Sequence, residues 1–335
     1  MFLIRADGNP QIGTGHIMRS LSLADAFQEQ SSEVAFVIAE PYFQPLIQQR
    51  GYPCAVLGTV YDHMEEELPL ILPILERQQP ELVILDSYFA TPKYMQAINH
   101  IAPLLYIDDL NLFDYPADAV VNYNIYGPGI SYPQNKAYFL GPQYALLRKE
   151  FQELGERITK GQTENILIST GGTDQYHVAL RCAEYLQKYP LSGNTIFHFV
   201  LGAMNPDVAE LEQISSKCPW MKLHRKVKDM CSLMLQCDAA VSAAGTTLYE
   251  LCACGLPTVT YILADNQILG AQAFQKAGLM PCAGDIREDN HFVERIFTRL
   301  KELKSAELRR ETARRMQALV DGGGARRLAE ALLEH

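Results

Sequence analysis

Short runs of aliphatic and β-branched residues alternate along nearly the whole chain with stretches whose apolar positions recur every three to four residues. That alternation marks parallel sheets covered by helices on both faces, because the crossover helices bury both sides of each strand. In the first half the runs at 2–5, 34–39, 54–57, 82–86, 104–108 and 119–121 read as strands. Residues 16–28 read as an amphipathic helix, with Ile17, Leu21 and Ala24 on one stripe. From 148 to 162 the pattern turns polar and charged, punctuated by Gly155 and Gly161, and a domain junction is expected there. The alternation then resumes with runs at 165–169, 196–201, 221–223, 239–241 and 258–261. The stretch 292–333 is helical and mixed in charge, of the kind that packs back across a domain boundary. The expectation is an α/β protein of two doubly wound, Rossmann-like domains, residues 1–150 and 160–335, facing a central cleft.

Composition narrows the partners. A chain of 335 residues suits two domains, and with 48% hydrophobic and 20% charged residues it can build a core in each. The 29 Lys and Arg against 39 Asp and Glu leave a net charge of −10, which argues against nucleic acid and anionic lipid as partners. No apolar run approaches the roughly eighteen residues of a spanning helix, and the N-terminus enters a strand with no basic segment before it. A cytoplasmic location is expected. The 8 cysteines form no CxxC pair and read as small buried hydrophobes. Asp108 and Asp109 form the one acidic pair near a strand end, and neighbours on an extended chain point to opposite faces. Neither a metal nor a cofactor is expected.

Candidate chemistry lies in three turns between a strand and a helix: Gly13-Thr14-Gly15, Gly171-Gly172-Thr173 followed by Asp174, and Gly245-Thr246-Thr247. Such a turn presents unpaired N–H groups and a positive dipole end, an arrangement that binds phosphate. Three of them suggest a diphosphate, although glycine also serves simply to form left-handed turns. The first is not a dinucleotide fingerprint, since Met18 holds the third glycine position, and no Lys-Ser/Thr follows to make a P-loop. Glu40, ending the second strand, stands where a nicotinamide enzyme would hold ribose, which keeps a dehydrogenase as a competing reading.

His16 falls in the first turn of a helix, where the dipole disfavours a cation, so a neutral ring open to a proton is expected. That is the state of a general base; the plainer alternative is a polar cap or a phosphate contact. Asp7 and Arg19 flank it, and Arg19 could reach a phosphate or pair with Asp25 or Glu29. Thr246 and Thr247 can donate to a diphosphate, while Glu250, a helical turn on, can reach ribose hydroxyls or merely cap its helix. Asp265-Asn266-Gln267 can cap the next helix or close over phosphate and sugar.

The opening Arg5-Ala6-Asp7-Gly8-Asn9-Pro10-Gln11-Ile12-Gly13-Thr14-Gly15-His16-Ile17-Met18-Arg19 closely resembles the start of the UDP-2,4-diacetamido-2,4,6-trideoxy-β-L-altropyranose hydrolases of pseudaminic acid biosynthesis. Further matches follow in order: Asp86-Ser87-Tyr88, Ile107-Asp108-Asp109, Val121-Asn122-Tyr123-Asn124, residues 141–151, Gly171 to Asp174, residues 242–250 and Asp265-Asn266-Gln267. The similarity runs from residue 1 to about 280, and Ser87 stands where many members carry histidine. The resemblance implies a GT-B architecture related to the lipid II glycosyltransferases, with the nucleotide held mainly by the C-terminal domain. By the same resemblance His16 is the catalytic base, Tyr88 lies near the sugar with the Asn122 loop, and Gly245, Thr246 and Thr247 hold the diphosphate. Glu250 would hold the ribose, Asn266 and Gln267 would line the cleft, and backbone from Val227 to Met230 would form the uracil site.

The expected reaction is inverting hydrolysis. Water deprotonated by His16 attacks the anomeric carbon and UDP leaves. A glycosidase needs a second carboxylic acid to protonate its poor leaving group, whereas a diphosphate departs once N–H groups, dipoles and a cation stabilise its charge. The alternatives are a GT-B glycosyltransferase using a UDP-sugar, a hydrolysing epimerase on a related sugar, and a sensor that binds without turnover. Transfer would call for an acceptor surface, and residues 41–49 with Tyr42, Phe43, Leu46 and Ile47 read equally as a buried helix. Oligomeric state is left open.

Overall fold

Each of the apolar runs forms a strand, and the computed structural model describes residues 1–190, 194–202 and 204–334. In the first sheet β1 (Phe2–Ala6), β2 (Val34–Ile38), β3 (Cys54–Val56), β4 (Leu82–Asp86), β5 (Leu104–Ile107), β6 (Ala119–Asn122) and β7 (Ala137–Leu140) lie in the order β3-β2-β1-β4-β5-β6-β7. All pairings are parallel, so each strand is followed by a crossover and every carboxyl end points to one edge. The order reverses between β1 and β4, where Ala6 is in register with Asp86. β1, β2, β4, β5 and β6 are buried at every position, as strands covered on both faces must be.

The second sheet repeats the plan. β8 (Asn165–Ser169), β9 (Ile196–Leu201), β10 (Met221–Arg225), β11 (Ala239–Ala243), β12 (Thr258–Ile262) and β13 (Cys282–Asp285) lie in the order β10-β9-β8-β11-β12-β13. Here the reversal falls between β8 and β11. Phe197, Phe199, Val241, Tyr261 and Phe297 lie in the core on one face of the sheet.

The chain divides into two compact units, Met1–Lys149 together with the residues from Gly323, and Glu150–Gly322. The helix Gly324–Leu333, placed with the second domain on the sequence reading, is thus part of the first unit. It buries Ala325, Leu328 and Ala329 and packs against α1 (Gly15–Glu29). Gly324 is required there, because a Cβ would come within 2.3 Å of the Ala145 carbonyl oxygen. This second cover explains why α1 buries far more than the expected stripe, with His16, Ile17, Arg19, Ser20, Leu21, Ser22, Leu23, Ala24, Ala26 and Phe27 all inaccessible. Among the described residues no helix is long and apolar enough to cross a membrane.

Candidate active site

The segment between β1 and α1 is shaped by Asn9. Its side-chain oxygen accepts the N–H groups of Gln11 and Ile12 at 2.9 Å each, its amide donates to Glu40 Oε2 at 2.7 Å, and its carbonyl accepts from Gly13 N–H at 2.8 Å. Gly13 takes φ +80°, a conformation that costs most other residues free energy. The turn delivers His16 as the second residue of α1. Glu40 is occupied by Asn9, so the carboxylate that kept a dehydrogenase in view supports the glycine turn instead.

His16 Nδ1 lies 2.6 Å from Asp86 Oδ1, the last residue of β4. Arg19, one turn deeper, donates from Nε to Asp86 Oδ2 at 2.7 Å and from Nη2 to Oδ1 at 2.5 Å. Its Nη1 reaches Asp109 Oδ2 at 2.8 Å and the Tyr123 hydroxyl at 2.9 Å. The Tyr88 hydroxyl donates to the same Asp109 oxygen at 2.9 Å, and its ring meets the His16 ring edge-on at 4.5 Å between centroids. Burial alone would push the Asp86 carboxyl up, yet the Arg19 guanidinium and the His16 ring hold it well below the usual carboxylate range. With Nδ1 as the donor of that contact, an ionised Asp86 fixes the ring's orientation and Nε2 is its remaining nitrogen.

The helix dipole is not what orients the ring: a buried carboxylate 70 residues away does. Asp86 and Asp109 went unassigned because their partnership depends on strand order. Each ends an apolar run, at Leu82–Asp86 and just after Leu104–Ile107, and that position was the available signal. Arg19 pairs with neither Asp25 nor Glu29, which bond to Arg50 and Lys149. With its nitrogens directed at Asp86, Asp109 and Tyr123, with Nη2 also 3.1 Å from His16 Nδ1, and with 4% of its surface exposed, it sets the field around His16.

Asp7 and Asn122 also serve as supports. Asp7 is 1% exposed and bonds Arg5. Asn122 is fully buried, donating to the Tyr132 hydroxyl at 3.0 Å and accepting from the Asn124 backbone at 3.1 Å. Asp108 turns away from Asp109, as the alternation requires, and accepts from the hydroxyls of Tyr115 and Tyr132.

In the second unit the turn Gly171-Gly172-Thr173 follows β8, with φ +81° at Gly171. Asp174 accepts the N–H groups of Val178 and Ala179 at 2.8 and 3.0 Å and the Asn205 amide at 3.1 Å, so its carboxylate caps the helix Val178–Lys188. Gly202 ends the strand beside it, and a Cβ there would stand 2.2 Å from the Gly172 carbonyl oxygen. Gly245 and Thr246 follow β11 and lead into the helix Thr247–Ala253, whose N-cap Thr246 makes no side-chain cap bond and is exposed. Glu250 lies half-buried in its first turn. Asp265–Gln267 forms a short 3₁₀ turn after β12, where Gln267 accepts from Leu263 N–H at 3.0 Å and Asp265 pairs with Arg287 at 2.8 Å. The Gln267 amide approaches Gly245, with 3.9 Å to the place a Cβ would occupy. Val227 lies in the loop between β10 and the helix Met230–Gln236.

Within each unit the sequence-predicted residues therefore gather at the carboxyl edge, where Gly13 to His16 and Asp86 flank the first reversal and Gly171 to Asp174 and Gly245 to Thr247 the second. A cavity of about 690 Å³ opens at the other edge of the second sheet, lined by residues 161–166 and by Lys301, but no glycine turn reaches it. Two parallel sheets of this order, each with its own reversal, match solved structures over the full chain. The similarity to MurG of Acinetobacter baumannii covers 100% of this chain and 99% of that one, at a TM-score of 0.72 and 13% identity. That to CalG4, the calicheamicin glycosyltransferase, covers 100% and 98%, at 0.68 and 14%. The chain has the GT-B fold.

In sequence, this GT-B protein is 26% identical to the spore coat polysaccharide biosynthesis protein SpsG of Bacillus subtilis, over 98% of this chain and 96% of that one. It is 27% identical to the UDP-2,4-diacetamido-2,4,6-trideoxy-β-L-altropyranose hydrolase of Campylobacter jejuni, over 74% of this chain and 86% of that one. No family model matches.

Proposed function

We propose that this protein cleaves the anomeric C–O bond of a UDP-sugar, with His16 as base and water as nucleophile. The observation that carries the reading is the 2.6 Å contact between His16 Nδ1 and Asp86, with Arg19 bracing the carboxylate. Water gives its proton to His16 Nε2 as its oxygen bonds to the anomeric carbon from the face opposite the nucleotide. The C–O bond breaks with its electron pair leaving on the diphosphate. The imidazolium so formed lies against Asp86, which stabilises it as the base is used. Gly245, Thr246 and Thr247 would hold the diphosphate and Glu250 the ribose, with Asn266, Gln267 and the Val227 backbone completing the nucleotide site. The Campylobacter relative's name, together with the matching stretches around His16 and Asp86, supports a diacetamido-trideoxyhexose as the sugar.

Transfer to an acceptor hydroxyl is the second reading, and two observations favour it. The solved structures of this fold include glycosyltransferases. The loops after β2, β3 and β4 also leave Tyr42, Val60 and Phe89 exposed, so residues 41–49 bury Ile47 without forming the buried helix the sequence allowed. The test is a panel of UDP-sugars with and without N-acetyl groups, turned over in water labelled with heavy oxygen. Free sugar carrying the label, released without acceptor, is the expected result. Label in UDP would mean attack at phosphorus and overturn both readings, and turnover only with an added acceptor would establish transfer.

A further inference from the structure

A second buried ionic network stands at the carboxyl end of β1. Asp86 is in register with Ala6, so side-chain alternation puts Arg5 on the other face of the sheet. Arg5 is wholly buried and forks onto Glu67, with Nε to Oε1 and Nη2 to Oε2 both at 2.8 Å. Glu67 is also wholly buried and accepts from the Tyr94 hydroxyl. The one guanidinium charge is thereby matched in the strongest geometry a carboxylate offers. Asp7 is the second carboxyl on the same arginine: Nη1 donates to its Oδ1, while Oδ2 is buried with no hydrogen-bond partner among the described residues.

An ionised carboxylate with one oxygen out of water and only the Ser87 hydroxyl beside it as a further donor is among the costlier things a fold can bury. The groups around Asp7 are Arg5, Glu67, Tyr94, the Ser87 hydroxyl and, toward the surface, the Tyr61 phenol. None adds a second cation. We propose that Asp7 is a neutral carboxylic acid and the positioning residue of the turn that carries His16, anchoring the start of that turn to Arg5 without adding a second negative charge beside Glu67. Burial, the largest influence on the group, pushes its carboxyl up even against Arg5. The neutral form has a functional rationale under the reading of His16 as base for a diphosphate-bearing substrate. Arg19 already serves two carboxylates at that edge, and a further anion would repel the ligand.

The experiment is infrared spectroscopy of the whole protein at neutral pH, read at the carbonyl band of a protonated carboxylic acid. The band should be present in wild type, persist in D174N, which removes the other buried aspartate pushed up by its surroundings, and vanish in D7N. Its absence from wild type, or its loss in D174N, overturns the proposal. If D7N does not fold, the wild-type and D174N spectra still decide. The positioning role is read from turnover: D7A should lower kcat by about tenfold or more and D7N should restore most of it, since an amide keeps the hydrogen bond to Arg5 without charge. Equal loss in both variants at unchanged melting temperature would mean that the negative charge is needed, and overturn it. The band requires no substrate, so failure of the nucleotide-sugar reading and failure of this proposal are separate results.

Discussion

The reversal points of the two sheets share a topology and differ in material. At the first, a histidine, an arginine and two aspartates are buried within hydrogen-bond reach of one another. At the second, the turns are glycine, threonine and side-chain amides, and the one carboxylate next to the first of them, Asp174, caps a helix. A base has to be held in one tautomer and one orientation, and a buried charge network does that at the cost of desolvation. A diphosphate has to be met by many donors at close range, which backbone N–H groups supply and bulky side chains would obstruct. Under the proposed function, one fold edge is built for reaction and the other for grip, according to the residues on its loops.

Breaking the reactive side should have the largest effect. H16A is expected to lower kcat by about three orders of magnitude while leaving UDP affinity near wild type, as measured by steady-state kinetics and calorimetry. Retained turnover would mean that another group is the base. D86N keeps the shape but turns the Nδ1 contact from ionic to neutral, and should cost on the order of a hundredfold in kcat. A D86N enzyme as fast as wild type would show that the tautomer is set elsewhere.

Changes on the gripping side should appear in affinity and stability. G202A forces a methyl against the Gly172 carbonyl and should destabilise the second unit by about 1–3 kcal/mol in chemical denaturation, with weaker UDP binding. T246A and T247A should each weaken UDP binding by about 1 kcal/mol with kcat little changed, and a drop in kcat instead would move these threonines to the reacting centre. The smallest effect is expected away from both sites. His198 Nδ1 lies 3.0 Å from His224 Nε2, and burial, then His224 and Lys222, bring His198 down to about 4. A histidine with a depressed folded value contributes stability that is complete above its unfolded value near 6.5 and lost as pH falls toward 4. H198Q should therefore flatten the fall in melting temperature between pH 7 and 5; an unchanged slope would contradict it.

The strands that could be read from sequence are those whose chemistry is uniform. β1 and β4 are apolar runs broken only by Arg5 and by the terminal Asp86, and are legible from pattern alone. β7, AYFL, is a half-exposed edge strand whose apolar run is only four residues long, and β13, CAGD, has a glycine, no β-branched residue and an irregular register with β12, so neither stands out by pattern. His16 was legible because its turn and helix are local. Its partner was not, since the pairing of β1 with β4 is a property of the folded sheet. Asp7, Arg19 and Asn122 are buried among protein partners, and that is not legible locally because burial is a property of the folded sheet.

The return of the helix Gly324–Leu333 to α1 has a consequence for synthesis. The unit that carries His16 is begun before the other, yet its last layer emerges only after all of Glu150–Gly322 has been made. During that interval the outer side of α1 lacks its cover, whereas the second unit is one continuous stretch of chain. Assembly of the reactive half is in this sense timed by the completion of the other.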